Sequence, residues 1–148
     1  MKSKRNGHLR LAVFGTRTLS GDAAQEIILS EIKLYCVDSI VTAGDARGVC
    51  ATAIILCRQT GFPLKLYFLD VGKARGKYYH RSVSILSECD RCLFIWNGTS
   101  KGTEGEIKIA EMMGKPLTIH YLMDDLDVQL EKMLESEAQE LYLSMSNG

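Results

Sequence analysis

The chain has 148 residues, with 18 basic and 18 acidic side chains and no formal net charge. That length suits one domain, and 46% hydrophobic with 24% charged residues is a globular balance rather than a disordered or repetitive one. A neutral balance gives no global electrostatic footprint for nucleic acid, and no apolar run reaches the roughly 18 residues that a membrane helix needs.

The segment Met1 to Arg10 is basic, and no apolar stretch of signal-peptide length follows it. Residues 1–8 are therefore expected to fray ahead of a single domain spanning 1–148, and the protein is expected in the cytoplasm, away from membranes. The five cysteines, an odd number, are expected to stay reduced. Cys89 and Cys92 form a C-x-x-C, but at the end of a helix rather than at its start, where thiolates are stabilised. They are read as small packing residues, and no residue set calls for a metal or a cofactor.

Taken in order, Leu9–Phe14 is a buried strand that ends in Gly15-Thr16-Arg17-Thr18. Ser20 or Asp22 can cap a helix over Ala23–Tyr35, with Ile27, Ile28 and Ile32 as its apolar stripe. Ser39–Ala43 is a second strand, broken by Gly44-Asp45-Ala46-Arg47-Gly48. A helix over Val49–Thr60 stops at Gly61. Leu64–Leu69 is a third strand, and Asp70–Lys77 a loop. Tyr78–Cys89 is a helix and Arg91–Trp96 a fourth strand. After the loop Asn97–Gly102, Ile107, Ala110 and Met113 recur at helical spacing from Thr103, and Gly114 stands where a C-cap glycine would. Leu117–Leu122 is a fifth strand. Asp124-Asp125 opens a last helix through Ser144.

Strand and helix alternate five times. This predicts an α/β fold: one Rossmann-like three-layer domain with a five-stranded parallel sheet and helices on both faces. The glycine turns after strands one, two and four fall at strand carboxyl ends, where open α/β sheets bind ligands. The last helix carries apolar residues on more than one face, Leu126, Leu130, Met133, Leu134, Leu141 and Leu143 among them, which predicts a homodimer or larger homo-oligomer.

Three segments in this order carry a family resemblance: Gly15-Thr16-Arg17-Thr18, Gly44-Asp45-Ala46-Arg47-Gly48, and the Trp96-x-Gly98-x-Ser100-x-Gly102-Thr103 core. Over roughly Leu9 to His120 the chain resembles the YspA-like branch of the SLOG superfamily, which includes DNA-processing protein A and the lonely-guy phosphoribohydrolases. The resemblance implies a Rossmann-like fold and a nucleotide or nucleotide-derived ligand. Some members cleave an N-glycosidic bond and others are proposed sensors. An arginine nine residues before the aspartate that precedes strand four matches Arg81 and Asp90. Cys50 and Asn97 stand where members usually have aspartate, and Ser82 where they have asparagine. Glu106 stands three residues after Gly102-Thr103, as the glutamate does in nucleoside deoxyribosyltransferases.

The chemistry follows from these residue types. A glycine turn at Gly98–Thr103 feeding a helix start offers N–H donors, and the Ser100 and Thr103 hydroxyls, to a phosphate. Arg17, Arg47 or Arg81 can add a guanidinium fork. Asp45 can orient a ribose hydroxyl. Trp96 can present an edge to a base, and Tyr78, Tyr79 and His80 can stack on one or simply pack at a helix start. Cleavage of an N-glycosidic bond needs a carboxylate beside the anomeric carbon, for which Glu106 is the candidate and Glu104 the alternative. The leading expectation is a binding or sensor module, with ligand residues Gly15, Thr16, Arg17, Gly44, Asp45, Arg47, Gly48, Arg81, Trp96, Asn97, Gly98, Ser100, Gly102 and Thr103. The second is a nucleoside 5′-monophosphate N-glycosidase. A DNA-associated factor comes third, since the charge balance disfavours it.

Overall fold

The computed structural model describes residues 8–44, 47–70, 72, 76–123 and 125–147, with side chains left out at 125–129, 131, 132 and 147. Five strands and five helices alternate: β1 (Arg10–Gly15), α1 (Asp22–Tyr35), β2 (Ser39–Ala43), α2 (Gly48–Thr60), β3 (Leu64–Tyr67), α3 (Lys77–Glu88), β4 (Arg91–Trp96), α4 (Lys101–Met112), β5 (Leu117–Tyr121) and α5 (Asp125–Asn147). The strands form one sheet in the order β3-β2-β1-β4-β5. Every pairing is parallel. This is the expected α/β, Rossmann-like arrangement.

The two central strands explain the layers. In β1 and β4 successive side chains point to opposite faces. Leu11, Val13, Leu93 and Ile95 pack under α1 and α2 with Ile28, Val49 and Ala53. Ala12, Phe14, Cys92 and Phe94 pack under α3 and α4 with Ile85, Leu86, Ile107 and Ala110. Both faces are covered, so both strands read as unbroken apolar runs. The rings of Phe14 and Phe94, opposite one another in the register, stack with centroids 5.2 Å apart.

Several boundaries differ from the sequence expectation. β3 ends at Tyr67, not Leu69, because β2 supplies its last partner at Ala43. Neither Ser20 nor Asp22 caps α1: Gly21 occupies that position at φ 84°, without a side-chain cap bond, and Asp22 falls in the first turn. α4 starts at Lys101, two residues before Thr103. Gly114 does take the left-handed conformation expected beyond that helix, at φ 71°. Asp124, the expected opening of α5, lies outside the described residues, as does the leader 1–7. No described helix is long and apolar enough to cross a membrane.

Polar pairs fasten the amino end of the sheet. Arg10 meets Asp90 through its Nε at 3.1 Å, and its backbone N–H donates to the same carboxylate at 2.8 Å. Arg10 on β1 is thus a partner of Asp90 at this end. Glu31, buried on α1, accepts from Arg91 Nε at 3.3 Å and from the Thr118 hydroxyl at 2.6 Å. Cys89 and Cys92 are buried with their sulfurs 3.7 Å apart, in keeping with a packing role. The hydrogen bond to Cys89, reinforced by burial, pushes the Cys92 thiol well above its usual range. Burial alone pushes Cys57 up to about 11.

Cys36 ends α1 in the left-handed conformation, at φ 52°, where a β-carbon is crowded. It is also exposed. Cys36→Gly is expected to raise unfolding stability by up to about 1 kcal/mol, because glycine adopts this conformation without that crowding. Urea denaturation of the two proteins checks it; a loss of stability would mean that the thiol makes a contact worth more than the relief.

Candidate functional site

The site grows from the adjacency of β1 and β4. The helix after β1 leaves on one face and the helix after β4 on the other, so a crevice opens between the two carboxyl ends. Gly15 closes β1. A β-carbon there would fall 2.4 Å from Val49 Cγ2 and 2.6 Å from the Ile95 carbonyl, so only glycine lets α2 begin this close to the strand. Thr16 follows, buried. Its hydroxyl accepts from the Asn97 backbone N–H at 3.2 Å and donates toward Asn97 Oδ1 at 3.4 Å. The turn after β1 is thereby tied to the turn after β4.

Asn97 also sets the start of α4. Its Oδ1 accepts from the backbone N–H groups of Thr99 at 3.0 Å and Ser100 at 2.8 Å. The Trp96 indole N–H donates to the Ser100 carbonyl at 3.0 Å. With Ser100 fixed from both sides, the helix begins at Lys101, earlier than the spacing of its apolar residues announces. Helix geometry leaves the first N–H groups of α4 without intrahelical acceptors, and they carry the positive end of its dipole.

These turns, with α3, enclose a cleft of about 650 Å³. Gly15, Thr16 and Arg17 line it from β1, Asn97, Ser100, Gly102, Thr103 and Glu106 from β4 and α4, and Arg81 from α3. The structure brings these nine candidates together. Of the other candidates that are described, none lines the cleft. The space above Gly44 is filled by the Phe68 ring, 2.3 Å from where a β-carbon would be. Gly48, at φ 73°, packs behind the turn against Thr16 and Arg17. Arg47 is exposed ahead of α2. Trp96 props the loop and is covered by Tyr121, with centroids 5.5 Å apart. Gly98, at φ 88°, makes the bend beside that same Tyr121 ring. Asp45 lies outside the described residues.

Other lining residues were not singled out as ligands in the sequence. Ala43, Cys50 and Ile109 give the cleft an apolar part, while Thr18, Ser82 and Lys101 add polar groups. Tyr78 and Tyr79, weighed above as stacking or packing residues, line it and stay half exposed. Lys101, Gly102, Gly105, Glu106 and Ile109 share one helical face. That periodicity was readable, but only from a helix starting at Lys101.

The electrostatics are lopsided. Arg81 is 8% exposed, and its guanidinium lies 5.6 Å from the centre of the Tyr78 ring. Arg17 and Lys77 stand 5.8 Å from the same centre. The ring face attracts each cation. The lining residues include the cations Arg17, Arg81 and Lys101 and the carboxylate Glu106, and Lys101 Nζ also meets Glu104 Oε1 at 3.7 Å. Glu106 Oε2 accepts from the Ser82 hydroxyl at 3.2 Å, which joins α4 to α3 across the cleft.

Two glycines in the first turns of α4 complete the geometry. A β-carbon on Gly102 or Gly105 would meet no other atom within 4 Å, and both residues line the cleft. No neighbour requires glycine there, although each costs a helix about 1 kcal/mol relative to alanine. What they leave is open space against the start of α4. No protein-family model, curated protein or solved structure matches the chain. Fold and site thus define a Rossmann-like α/β protein with a cationic cleft at the switch point of its sheet.

Gly102→Ala and Gly105→Ala are each expected to stabilise the unliganded protein by up to about 1 kcal/mol. Thermal unfolding checks this. A destabilised Gly105→Ala would mean that the helix, not the cleft, needs the glycine.

Proposed function

We propose that this protein binds a nucleotide or nucleotide-derived ligand in the cleft between β1 and β4, as a sensor or binding module, and that the ligand's phosphate sits at the start of α4. The observation that carries the reading is the open face of Gly102 and Gly105 in a cleft that Arg17 and Arg81 also line. Small residues, free helix-start N–H groups and guanidinium groups are what a phosphate needs. The apolar part at Ala43, Cys50 and Ile109, with the Tyr78 and Tyr79 rings, suits a base or sugar. The resemblance to the SLOG superfamily points to the same ligand class. Asn97 replaces a family aspartate but keeps the oxygen that receives Thr99 and Ser100, so the loop survives the change.

Glu106 supports a second reading, a nucleoside 5′-monophosphate N-glycosidase. Its carboxylate lines the cleft and is oriented by Ser82. In this reading the carboxylate stabilises the oxocarbenium-like transition state at the anomeric carbon while the base departs and water adds. The proposal also includes a homo-oligomer, supported by the exposed apolar side chains of α5, and a reducing compartment such as the cytoplasm, which suits cysteines of which none forms a disulfide among the described residues.

Mass spectrometry of small molecules released from the purified protein identifies the ligand, and calorimetry then reads the variants. Arg81→Gln is expected to weaken binding roughly ten- to hundredfold, the loss of one charge-assisted hydrogen bond of about 1.5–3 kcal/mol. Gly102→Val is expected to weaken it with the fold retained, because the added methyls enter the cleft. Unchanged affinity in both variants would put the phosphate elsewhere. Base release from a monophosphate that vanishes in Glu106→Gln supports the enzyme reading; release undiminished in that variant excludes Glu106 as its carboxylate.

A further inference from the structure

Helix α5 runs for 23 residues, about 34 Å, yet among the described residues it packs against no other element to the extent that α1 to α4 do. Leu130, Met133, Leu134, Leu141 and Met145 are 52–73% exposed. At 100° per residue they fall within a sector of about 120°, which Glu137 and Ser144 share.

The body of the same chain has an uncovered shelf. On the face that α1 and α2 cover, no described helix packs extensively on β5. Glu31 of α1 reaches Thr118, so Thr118 faces α1, and by strand alternation His120 and Leu122 do too. Leu122 indeed joins the core cluster of that face. Ile27 and Leu34 stand four residues before and three after Glu31, on the same side of α1. Leu34 is 70% exposed and His120 is exposed. The result is a shelf of Ile27, Leu34, His120 and Leu122 beside an edge strand.

We propose that α5 of a second copy of this chain lies on this shelf, each copy giving its helix to the other about a two-fold axis. The proposal rests on the homo-oligomer reading above and specifies its contact. Three observations select this occupant. The chain's own α5 leaves both Leu34 of the shelf and its own stripe exposed, so a helix that covers the shelf comes from another copy. Charge excludes simple pairing of two α5 helices: residues 125–148 hold six carboxylates and one lysine, whereas residues 1–124 hold 17 basic and 12 acidic side chains. An acidic helix is drawn to a basic body and repelled by its own copy. Area is the third. Five apolar side chains at roughly 100 Å² each give about 500 Å² per helix. Two helices and two shelves then total about 2,000 Å², enough for a stable dimer.

Light scattering at micromolar concentration, with circular dichroism to verify folding, tests the contact. The wild-type chain of 16.5 kDa is expected to give twice that mass. Leu141→Glu on the stripe and Leu34→Glu on the shelf are each expected to raise the dimer dissociation constant at least tenfold. Leu143→Glu, on the far side of α5, is expected to leave it unchanged. Added salt is expected to weaken the dimer. A monomeric wild type overturns the oligomer reading together with the exchange. A dimer that resists Leu34→Glu but falls apart with Leu141→Glu overturns the exchange alone, since α5 would then pair elsewhere.

Discussion

The reciprocal bond between Thr16 and Asn97 is the constraint on which the site depends. β1 and β4 lie side by side in register, and their chains then diverge to opposite faces of the sheet. Divergence opens the crevice, and it also separates the two turns that must act together. The Thr16 hydroxyl spans them, accepting from the Asn97 N–H and donating toward its side-chain oxygen. That oxygen in turn holds Thr99 and Ser100 and so fixes where α4 begins. One buried threonine thereby aims a helix dipole at the cleft. Buried polar groups of this kind specify a geometry because the alternative, an unpaired N–H, is costly.

The cleft is built from features that do not favour the free fold. Two glycines weaken the first turns of α4 with no steric requirement from neighbouring side chains. Away from the cleft, phenylalanines stack between the central strands and ion pairs close the amino end.

The sheet was legible because its signals are local. Leu11 to Phe14 and Cys92 to Phe94 are buried on both faces, and a strand in that position has to read as a continuous apolar run. The glycines after β1 and β4 were legible for the same reason. What escaped the sequence depends on distant residues. Gly44 has the look of a ligand turn, but Phe68, 24 residues later, fills its space. The start of α4 was displaced by a side-chain oxygen at Asn97, which no periodicity encodes. Cys50, Ser82 and Ile109 reach the cleft only because α2, α3 and α4 converge there. The exposed stripe of α5 was legible as surplus apolar surface, whereas the shelf that matches it is assembled from α1 and β5, almost a hundred residues apart.

The central claim, that the β1–β4 crevice holds a phosphate-bearing ligand against the start of α4, is tested most directly by titrating the isotope-labelled protein with a series of nucleoside 5′-monophosphates and following backbone amide shifts. Saturable shifts are expected to centre on Thr16, Arg17 and the amides of Lys101 to Thr103, with inorganic phosphate moving the α4 amides alone. Shifts confined to other surfaces, or none from any member of the series while the protein retains a co-purified ligand bound elsewhere, would contradict it.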